Sequence, residues 1–184
     1  MFEALIASIA SGLSNAGLPY MIIGGQAVLL YGTPRMTKDI DITLGVDVGR
    51  LDDVLQAIGG MGLESIPEDF RSFAMRTSVL PTRDKESGIR VDFIFSFTPY
   101  ERQAIMRSKA VLLGGTEVMF ASAEDVIIHK VFAGRPRDLE DVKSILLKNP
   151  DLDLDYVRKW LKEFEKSPEK EGLIRKFEEV QVGA

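Results

Sequence analysis

Apolar positions in this chain recur with two different periods, which predict helices in some segments and strands in others. Helical spacing, with caps and terminating glycines or prolines, predicts helices at 1–15, 26–31, 51–58, 100–107, 123–133 and 136–146. Alternating or continuously apolar runs predict strands at 20–23, 38–44, 72–80, 89–95, 110–113 and 117–120. The charged segment 81–88 predicts a turn, and Gly114-Gly115 predicts the tight turn of a hairpin. After residue 150 the pattern predicts two charged helical segments.

The predicted elements begin as alternating helices and strands, continue as a run of strands and end in helices alone. That order is typical of an α+β domain with a short helical tail. No internal repeat or low-complexity tract interrupts it. We therefore expect one domain at residues 1–147, with residues 148–184 as a C-terminal helical extension of the same domain.

Composition narrows the chemistry that such a domain can carry. The chain has 184 residues, no cysteine and one histidine, so disulfides, thiolate metal sites and multi-histidine zinc sites are excluded. A bound metal would be held mainly by carboxylates, which favours magnesium, manganese or calcium. The single histidine, His129, lies alone on a predicted helix and is expected to be structural.

Charge and hydropathy predict a soluble protein. The formal net charge is −5, which argues against coating long nucleic acid by charge alone but allows a local basic pocket. No run approaches the roughly 20 apolar residues of a membrane span. The first segment carries Glu3 and lacks a basic leader, so it is predicted to be an amphipathic helix and not a signal peptide. We expect a cytoplasmic protein with no membrane partner.

The segment from residue 22 to residue 41 combines a glycine turn, two neighbouring carboxylates and two cations. A predicted strand leads directly into Gly24-Gly25 at the start of a helix, where a backbone without Cβ atoms and free N–H groups can accept a triphosphate. Asp39 and Asp41 lie two apart on the alternating strand, so both carboxylates leave the same face and can bind divalent metal together. Two cationic side chains that can reach phosphate oxygens lie just upstream, Arg35 and Lys38.

A third carboxylate, Asp92, lies inside the strongly apolar strand predicted at 89–95. An unpaired and partly buried carboxylate is costly. One interpretation is that Asp92 pairs with Arg90 or Arg71. The other is that it joins Asp39 and Asp41 around a metal, which would compensate its burial. The presence of all three aspartates favours this functional interpretation.

The glycine pair, the Asp-x-Asp strand and the distant strand aspartate together resemble the nucleotidyltransferase superfamily, whose polymerase-beta-like palm has a mixed β-sheet with flanking helices. More narrowly, Gly24-Gly25-Gln26-Ala27 with Arg35-x-Thr37-x-Asp39-Ile40-Asp41 resembles the AbiEii-type nucleotidyltransferases of toxin–antitoxin systems. Segment 130–142 is similar to that family's Lys-x-x-Ala…Arg-Asp-x-x-Asp segment. The resemblance spans about residues 20–147, and after about residue 150 the chain departs from longer members, which continue into a larger helical part.

The resemblance implies a role for each matching position. Gly24, Gly25, Arg35 and Lys130 would bind the nucleotide. The catalytic and metal-binding set would be Asp39, Asp41 and Asp92. Supporting positions would be Thr37, Lys38, Arg137, Asp138 and Asp141. For the last two aspartates, two alternatives stay open, which are direct catalysis and salt bridges that organise Lys130, Arg135 and Arg137.

The reaction that the resemblance implies is attack of an acceptor hydroxyl on the α-phosphorus of an NTP, with release of pyrophosphate. Two magnesium ions about 3.5–4 Å apart would stabilise the attacking and leaving oxygens, with manganese as a substitute. Asp92 would accept the hydroxyl proton, while Arg35 and Lys130 would neutralise charge on the phosphates.

The acceptor is left open by the sequence. A tRNA 3′ end is the acceptor that the resemblance to toxins implies. A protein hydroxyl would match the compact nucleotidyltransferases that act as antitoxins, and a small molecule such as an aminoglycoside would match other short members of the superfamily. Arginines expected on the two strands and the turn around Asp92 form either an RNA-facing groove or a solvated face: Arg71, Arg76, Arg83 and Arg90. A non-catalytic palm that binds a nucleotide or a partner is the alternative class. A cognate toxin or antitoxin partner and a homodimer are compatible with either class.

Overall fold

A computed structural model of the chain describes residues 2–96 and 98–184. Met1, which the first predicted helix includes, lies outside the described residues. The described residues form two compact units. The first unit comprises residues from 1–26 and 37–121, and the second comprises 27–36 and 122–184. The predicted boundary after residue 147 stays a prediction.

The helices and strands cover most of both units. The α-helices are α1 (Phe2–Asn15), α2 (Gly24–Tyr31), α3 (Leu51–Ile58), α4 (Phe70–Thr77), α5 (Pro99–Met106), α6 (Ala123–Ala133), α7 (Pro136–Lys148), α8 (Leu154–Phe164) and α9 (Leu173–Val182). The strands are β1 (Tyr20–Ile23), β2 (Asp39–Leu44), β3 (Leu63–Ser65), β4 (Val79–Asp84), β5 (Arg90–Phe95), β6 (Lys109–Leu113) and β7 (Thr116–Phe120). None of the helices described is long and apolar enough to span a bilayer.

All of these strands join one mixed sheet in the first unit, in the order β3-β4-β5-β2-β1-β7-β6. β2 runs parallel to β5 and β1 runs parallel to β7, whereas the other neighbouring pairs are antiparallel. Ile40 and Ile42 of β2 and Val91 and Phe93 of β5 are fully buried on one face. Because alternate residues point to opposite faces, the polar residues between them share the other face. The α+β fold with a mixed sheet predicted from the sequence is confirmed.

The second unit consists of helices α6–α9 and the segment 27–36. α6 packs against α7 and α8, and α9 packs against α7 and α8. Asp125, which is fully buried near the start of α6, accepts hydrogen bonds from Ser122 Oγ at 2.6 Å and Tyr156 Oη at 2.9 Å. Ser122 caps α6, because its Oγ accepts a hydrogen bond from the Asp125 N–H at 3.2 Å, and the Asp125 carboxylate also ties α6 to α8.

The prediction of a strand at 72–80 is wrong. That segment holds the end of α4 and the start of β4. Ala74 is fully buried, and Thr77 Oγ1 donates a hydrogen bond to the carbonyl of Phe73 at 2.9 Å. Ser78, with φ of 55°, ends the helix in the left-handed conformation. β4 then runs to Asp84, so the first four residues of the predicted turn 81–88 belong to a strand. The short edge strand β3 was not predicted.

Candidate active site

The first unit brings the predicted glycine pair directly against Asp41. β1 ends at Ile23 and α2 begins at Gly24, two residues earlier than the sequence predicted. Gly24 has a φ of 65°, in the left-handed region that favours glycine. A Cβ at this position would overlap Oδ2 of Asp41 and lie 3.0 Å from its Cγ. The backbone can therefore approach the Asp41 carboxylate only because position 24 has no side chain.

The three predicted carboxylates lie on one face of the sheet. Asp39 and Asp41 are two apart on β2, and Asp41 is the direct cross-strand neighbour of Asp92 on β5. Directly paired residues place their side chains on the same face. Asp39 is exposed, whereas Asp41 and Asp92 are half-buried. The prediction that the three share a face is confirmed, and their catalytic role stays a prediction.

The carboxylate of Asp92 is paired with Arg90. Arg90 Nε donates to both Asp92 oxygens, at 2.8 and 3.1 Å. This hydrogen bond, and then the negative charges of Asp92, Asp39 and Asp41, raise the pKa of the Arg90 guanidinium, although burial opposes them. All three carboxylates therefore act on a single cation. Of the two partners that the sequence offered for Asp92, Arg90 is the one found.

The donor set fits magnesium, because carboxylate oxygens are its preferred protein ligands and all three leave one face. Over residues 2–96 and 98–184, however, no group of three or more acidic or histidine side chains is arranged to hold an ion. The Asp92 carboxylate is turned to Arg90 instead. Arg90 would therefore compete with a metal for the Asp92 carboxylate, and metal binding by the three aspartates stays a prediction.

A hydrogen bond links the start of α2 to the residues that precede β2. Gln26 Nε2 donates to Thr37 Oγ1 at 2.6 Å, and Gln26 is buried. The bond holds the glycine turn in a fixed position relative to the aspartate strand. Lys38, the next residue, is exposed. Sequence reasoning named Gln26 only within the family resemblance and missed this contact, for which the available signal was its place directly after two glycines.

The second unit contains a buried ion-pair network. Lys130 Nζ lies 2.8 Å from Asp138 Oδ1 and 3.0 Å from Asp141 Oδ2. Arg35 donates to both oxygens of Asp141, from Nε and Nη2, each at 2.9 Å. Arg135 Nε donates to Asp138 at 2.6 Å. Lys130, Asp138 and Asp141 are only 6%, 3% and 5% exposed and lie almost entirely out of water, whereas the side chains of Arg35 and Arg135 are 23% and 76% exposed.

These contacts bear on the two alternatives for Asp138 and Asp141. Both aspartates form salt bridges at the ends of α6 and α7, with Lys130 and Arg135 as the structural alternative describes, and a direct catalytic role for either stays a prediction. Arg35 and Lys130 are held by these carboxylates, and the nucleotide-binding role that the resemblance gives them stays a prediction. Arg137 is exposed on the first turn of α7.

The four arginines expected around Asp92 divide between a helix and the sheet. Arg71 and Arg76 lie on α4 and not on a strand. Arg71 forms a salt bridge with Asp52 at 2.7 Å, and Arg76 forms one with Asp69 at 3.7 Å. Arg83 lies on β4 and Arg90 on β5, where the two are direct cross-strand neighbours. The predicted cluster is therefore reduced to this pair.

A family model described as a nucleotidyltransferase of unknown function, DUF6036, matches residues 2–181. The chain belongs to the DUF6036 nucleotidyltransferase family. The nucleotidyltransferase superfamily predicted from the sequence is thereby confirmed, and the narrower AbiEii-type resemblance stays a prediction. None of the curated proteins matches this DUF6036 chain in sequence.

Solved structures with the same fold are remote in sequence. An antigenic nucleotidyltransferase-like protein from Paracoccidioides brasiliensis is 16% identical to the DUF6036 chain. The match covers 94% of the DUF6036 chain and 91% of the Paracoccidioides protein, with a TM-score of 0.58. ANT(2'')-Ia in complex with adenylyl-2''-tobramycin is 18% identical. The match covers 85% of the DUF6036 chain and 92% of the ANT(2'')-Ia chain, with a TM-score of 0.56. The lincomycin-bound lincosamide adenylyltransferase LnuA is 16% identical. The match covers 72% of the DUF6036 chain and 89% of the LnuA chain, with a TM-score of 0.50. These likenesses confirm the fold.

The ion pairs of the DUF6036 network shift the acidity of both buried carboxyls. Burial raises the pKa of Asp141, but hydrogen bonds and charges from Arg35 and Lys130 outweigh it and leave that pKa below its ordinary value of 3.8. The same balance, with Arg135 and Lys130 as partners, lowers the pKa of Asp138. A lowered pKa means that the folded state prefers the ionised carboxylate, so these groups stabilise the protein above pH 3.8 and lose that effect as pH falls through their folded values.

The Asp138 contribution can be isolated with Asp138→Asn. We expect the wild-type protein to exceed this variant in unfolding free energy by a constant amount well above pH 3.8, where the carboxylate is fully ionised in both states. The difference should shrink as pH falls further. Urea unfolding at a series of pH values measures it, and a difference that stays constant through the acid range would contradict the lowered pKa.

Proposed function

We propose that this DUF6036 protein is a magnesium-dependent enzyme that transfers a nucleoside monophosphate from an NTP to an acceptor hydroxyl and releases pyrophosphate. The observation that carries the proposal is the pairing of Asp41 with Asp92 on parallel strands, with Asp39 on the same face. Gly24 supports it, because the absence of a side chain there keeps the backbone open beside the Asp41 carboxylate.

Each part of the site has a role in the proposed reaction. The free N–H groups at the start of α2 bind the triphosphate, since Gly24 and Gly25 place no side chain in its way. The acceptor oxygen bonds to the α-phosphorus while the bond from that phosphorus to the bridging oxygen breaks, and pyrophosphate leaves with the electron pair. The half-buried Asp92 takes the hydroxyl proton. Magnesium held by the three aspartates would stabilise negative charge on the attacking and leaving oxygens.

The resemblance to AbiEii-type enzymes supports a toxin–antitoxin role, with a tRNA end or a protein hydroxyl as acceptor. A second candidate is transfer to a small molecule. It is supported by the shared fold with ANT(2'')-Ia and LnuA, whose structures contain adenylyl-2''-tobramycin and lincomycin.

The proposal is tested with the purified full chain, magnesium and each α-labelled NTP in turn. Total tRNA, lysate protein, an aminoglycoside and a lincosamide serve as separate acceptors, and the label is followed by gel and thin-layer separation. Magnesium-dependent label on RNA or protein would support the favoured acceptor classes, and label on an antibiotic would support the second candidate. NTP binding without label on any acceptor would overturn the proposal in favour of a non-catalytic palm.

The Arg90–Asp92 pair predicts how readily the site takes a metal. Replacing Arg90 by glutamine removes a cation from the three carboxylates and removes the hydrogen-bond donor of Asp92. We therefore expect Mn²⁺ to bind about fivefold more tightly, which is the scale of repulsion from one nearby, partly solvated positive charge. Isothermal titration calorimetry without NTP measures this affinity. Arg76→Gln, which removes an exposed arginine from α4, is the matched control and should bind Mn²⁺ as the wild type does. Unchanged or weaker binding in the Arg90 variant would refute the competition.

A further inference from the structure

The face of the sheet that carries the aspartates continues across two further strands. Asp39 on β2 pairs with Arg90 on β5, Arg90 pairs with Arg83 on β4, and Arg83 pairs with Glu64 on β3. Because directly paired residues share a face, these four side chains form one row across the sheet. We call residues Glu64, Arg83, Arg90 and Asp39 the charged row. Its signs run negative, positive, positive, negative, and all four residues are exposed.

Two arginines sit side by side in the middle of the charged row. Like charges directly opposite each other on paired strands are destabilising, so the arrangement has a cost in the protein alone. Arg90 is partly neutralised by Asp92. Arg83 is exposed, and no carboxylate in the part of the chain that the structure describes lies within ion-pair distance of it. An arginine pair of this kind is suited to an anion that arrives from solution.

The order of strands indicates which substrate would meet this pair. β1, which leads into the glycine turn, flanks β2 on one side, while β5 and then β4 lie on the other side. If the triphosphate binds at Gly24-Gly25, as proposed above, it occupies the β1 side of the aspartates. The acceptor then approaches from the β5–β4 side, where Arg90 and Arg83 are exposed.

We propose that Arg83 and Arg90 bind a phosphate of the acceptor, so that the enzyme acts on a phosphate-bearing acceptor, with the 3′ end of a polynucleotide as the favoured source. This inference rests on the proposed transferase function. The guanidinium group presents donors in a fork that matches phosphate oxygens, which gives both affinity and orientation. A polycationic acceptor would be repelled by the same pair. The overall charge of −5 fits a local anion site better than a general nucleic-acid coat.

The test measures binding of a fluorescein-labelled single-stranded RNA with a free 3′ hydroxyl, by fluorescence anisotropy, without NTP. Arg83→Gln should weaken binding about fivefold or more, and the slope of log affinity against log salt should fall in magnitude by about 0.7, the value for one lost phosphate contact. Arg76→Gln removes the same charge from α4, away from the charged row, and should change neither quantity. Equal effects of the two substitutions, or none, would overturn the proposal.

Two further experiments distinguish a polynucleotide from a small phosphate ester as the source of the phosphate, and distinguish failure of the acceptor site from failure of the proposed transferase function. Glucose 6-phosphate that displaces the RNA in an Arg83-dependent way would support the phosphate site and identify a small ester as its source. Transfer to a neutral or cationic small molecule that is unaffected by Arg83→Gln would overturn the acceptor proposal while the transferase stands. Arg83-dependent RNA binding with no labelled product from any acceptor would leave the anion site in place and refute the transferase.

Discussion

Replacing Asp41 by asparagine is expected to lower the rate of nucleotidyl transfer by at least about a thousandfold, the scale of losing a charge that stabilises the transition state. Asp41 lies at the centre of the proposed site, since it pairs with Asp92 across the strands and lies against Gly24. The substitution keeps the shape of the side chain and removes only its charge. Initial rates of label transfer with saturating NTP and magnesium measure the effect.

The same substitution should leave the fold intact. Three carboxylates on one face repel one another, so removing one charge relieves repulsion, and the melting temperature without metal should be unchanged or slightly higher. Asp151→Asn, at an exposed position outside the helices, is the matched control and should retain wild-type activity. An Asp41 variant that keeps more than about a tenth of the wild-type rate would contradict its role as a ligand.

Replacing Asp141 by asparagine is expected to lower the free energy of unfolding by about 3 kcal/mol, at the lower end of the range for breaking a buried ion pair. The substitution leaves Arg35 without the carboxylate that binds both its Nε and Nη2 atoms. The cost is at the lower end because Lys130 keeps Asp138 at 2.8 Å. Chemical denaturation of the full chain near neutral pH measures it.

Two comparisons identify the network as the cause. Asp155→Asn removes a carboxylate whose side chain is fully exposed and whose nearest cation, Arg158, is 3.6 Å away, so it should have no measurable effect. Lys130→Met combined with Asp141→Asn should cost less than the sum of the two single substitutions, because the two side chains interact directly. Strict additivity would show that the loss at Asp141 arises elsewhere.

The sequence predicts the carboxylate face well because a strand has a simple period. Asp39 and Asp41 had to share a side once residues 38–44 were recognised as an alternating strand, and Asp92 is flanked by apolar residues on both sides in its strand. What alternation cannot supply is the pairing of strands that are distant in the chain. The register that sets Asp92 against Asp41, and Arg83 against Arg90, is known only from the structure.

The errors have equally specific causes. Segment 72–80 was predicted as a strand, but the buried Ala74 belongs to a helix and the left-handed Ser78 separates that helix from the strand that follows. β3 is only Leu63–Ser65, too short to show a period. The sequence offered Asp138 and Asp141 as salt-bridge partners of Lys130 in one of two alternatives, but it could not show that Arg35, more than a hundred residues away in the chain, binds Asp141 as well.

The parallel pairing of β2 with β5 also has a consequence for how the protein is made. Between these strands the chain forms α3, β3, α4 and β4, so Asp41 and Asp92 become neighbours only after a long loop has closed. During synthesis the glycine turn and Asp39 emerge well before β5 does. The proposed chemistry therefore waits for the insertion of β5 into the sheet beside β2, because only then does Asp92 lie beside Asp41.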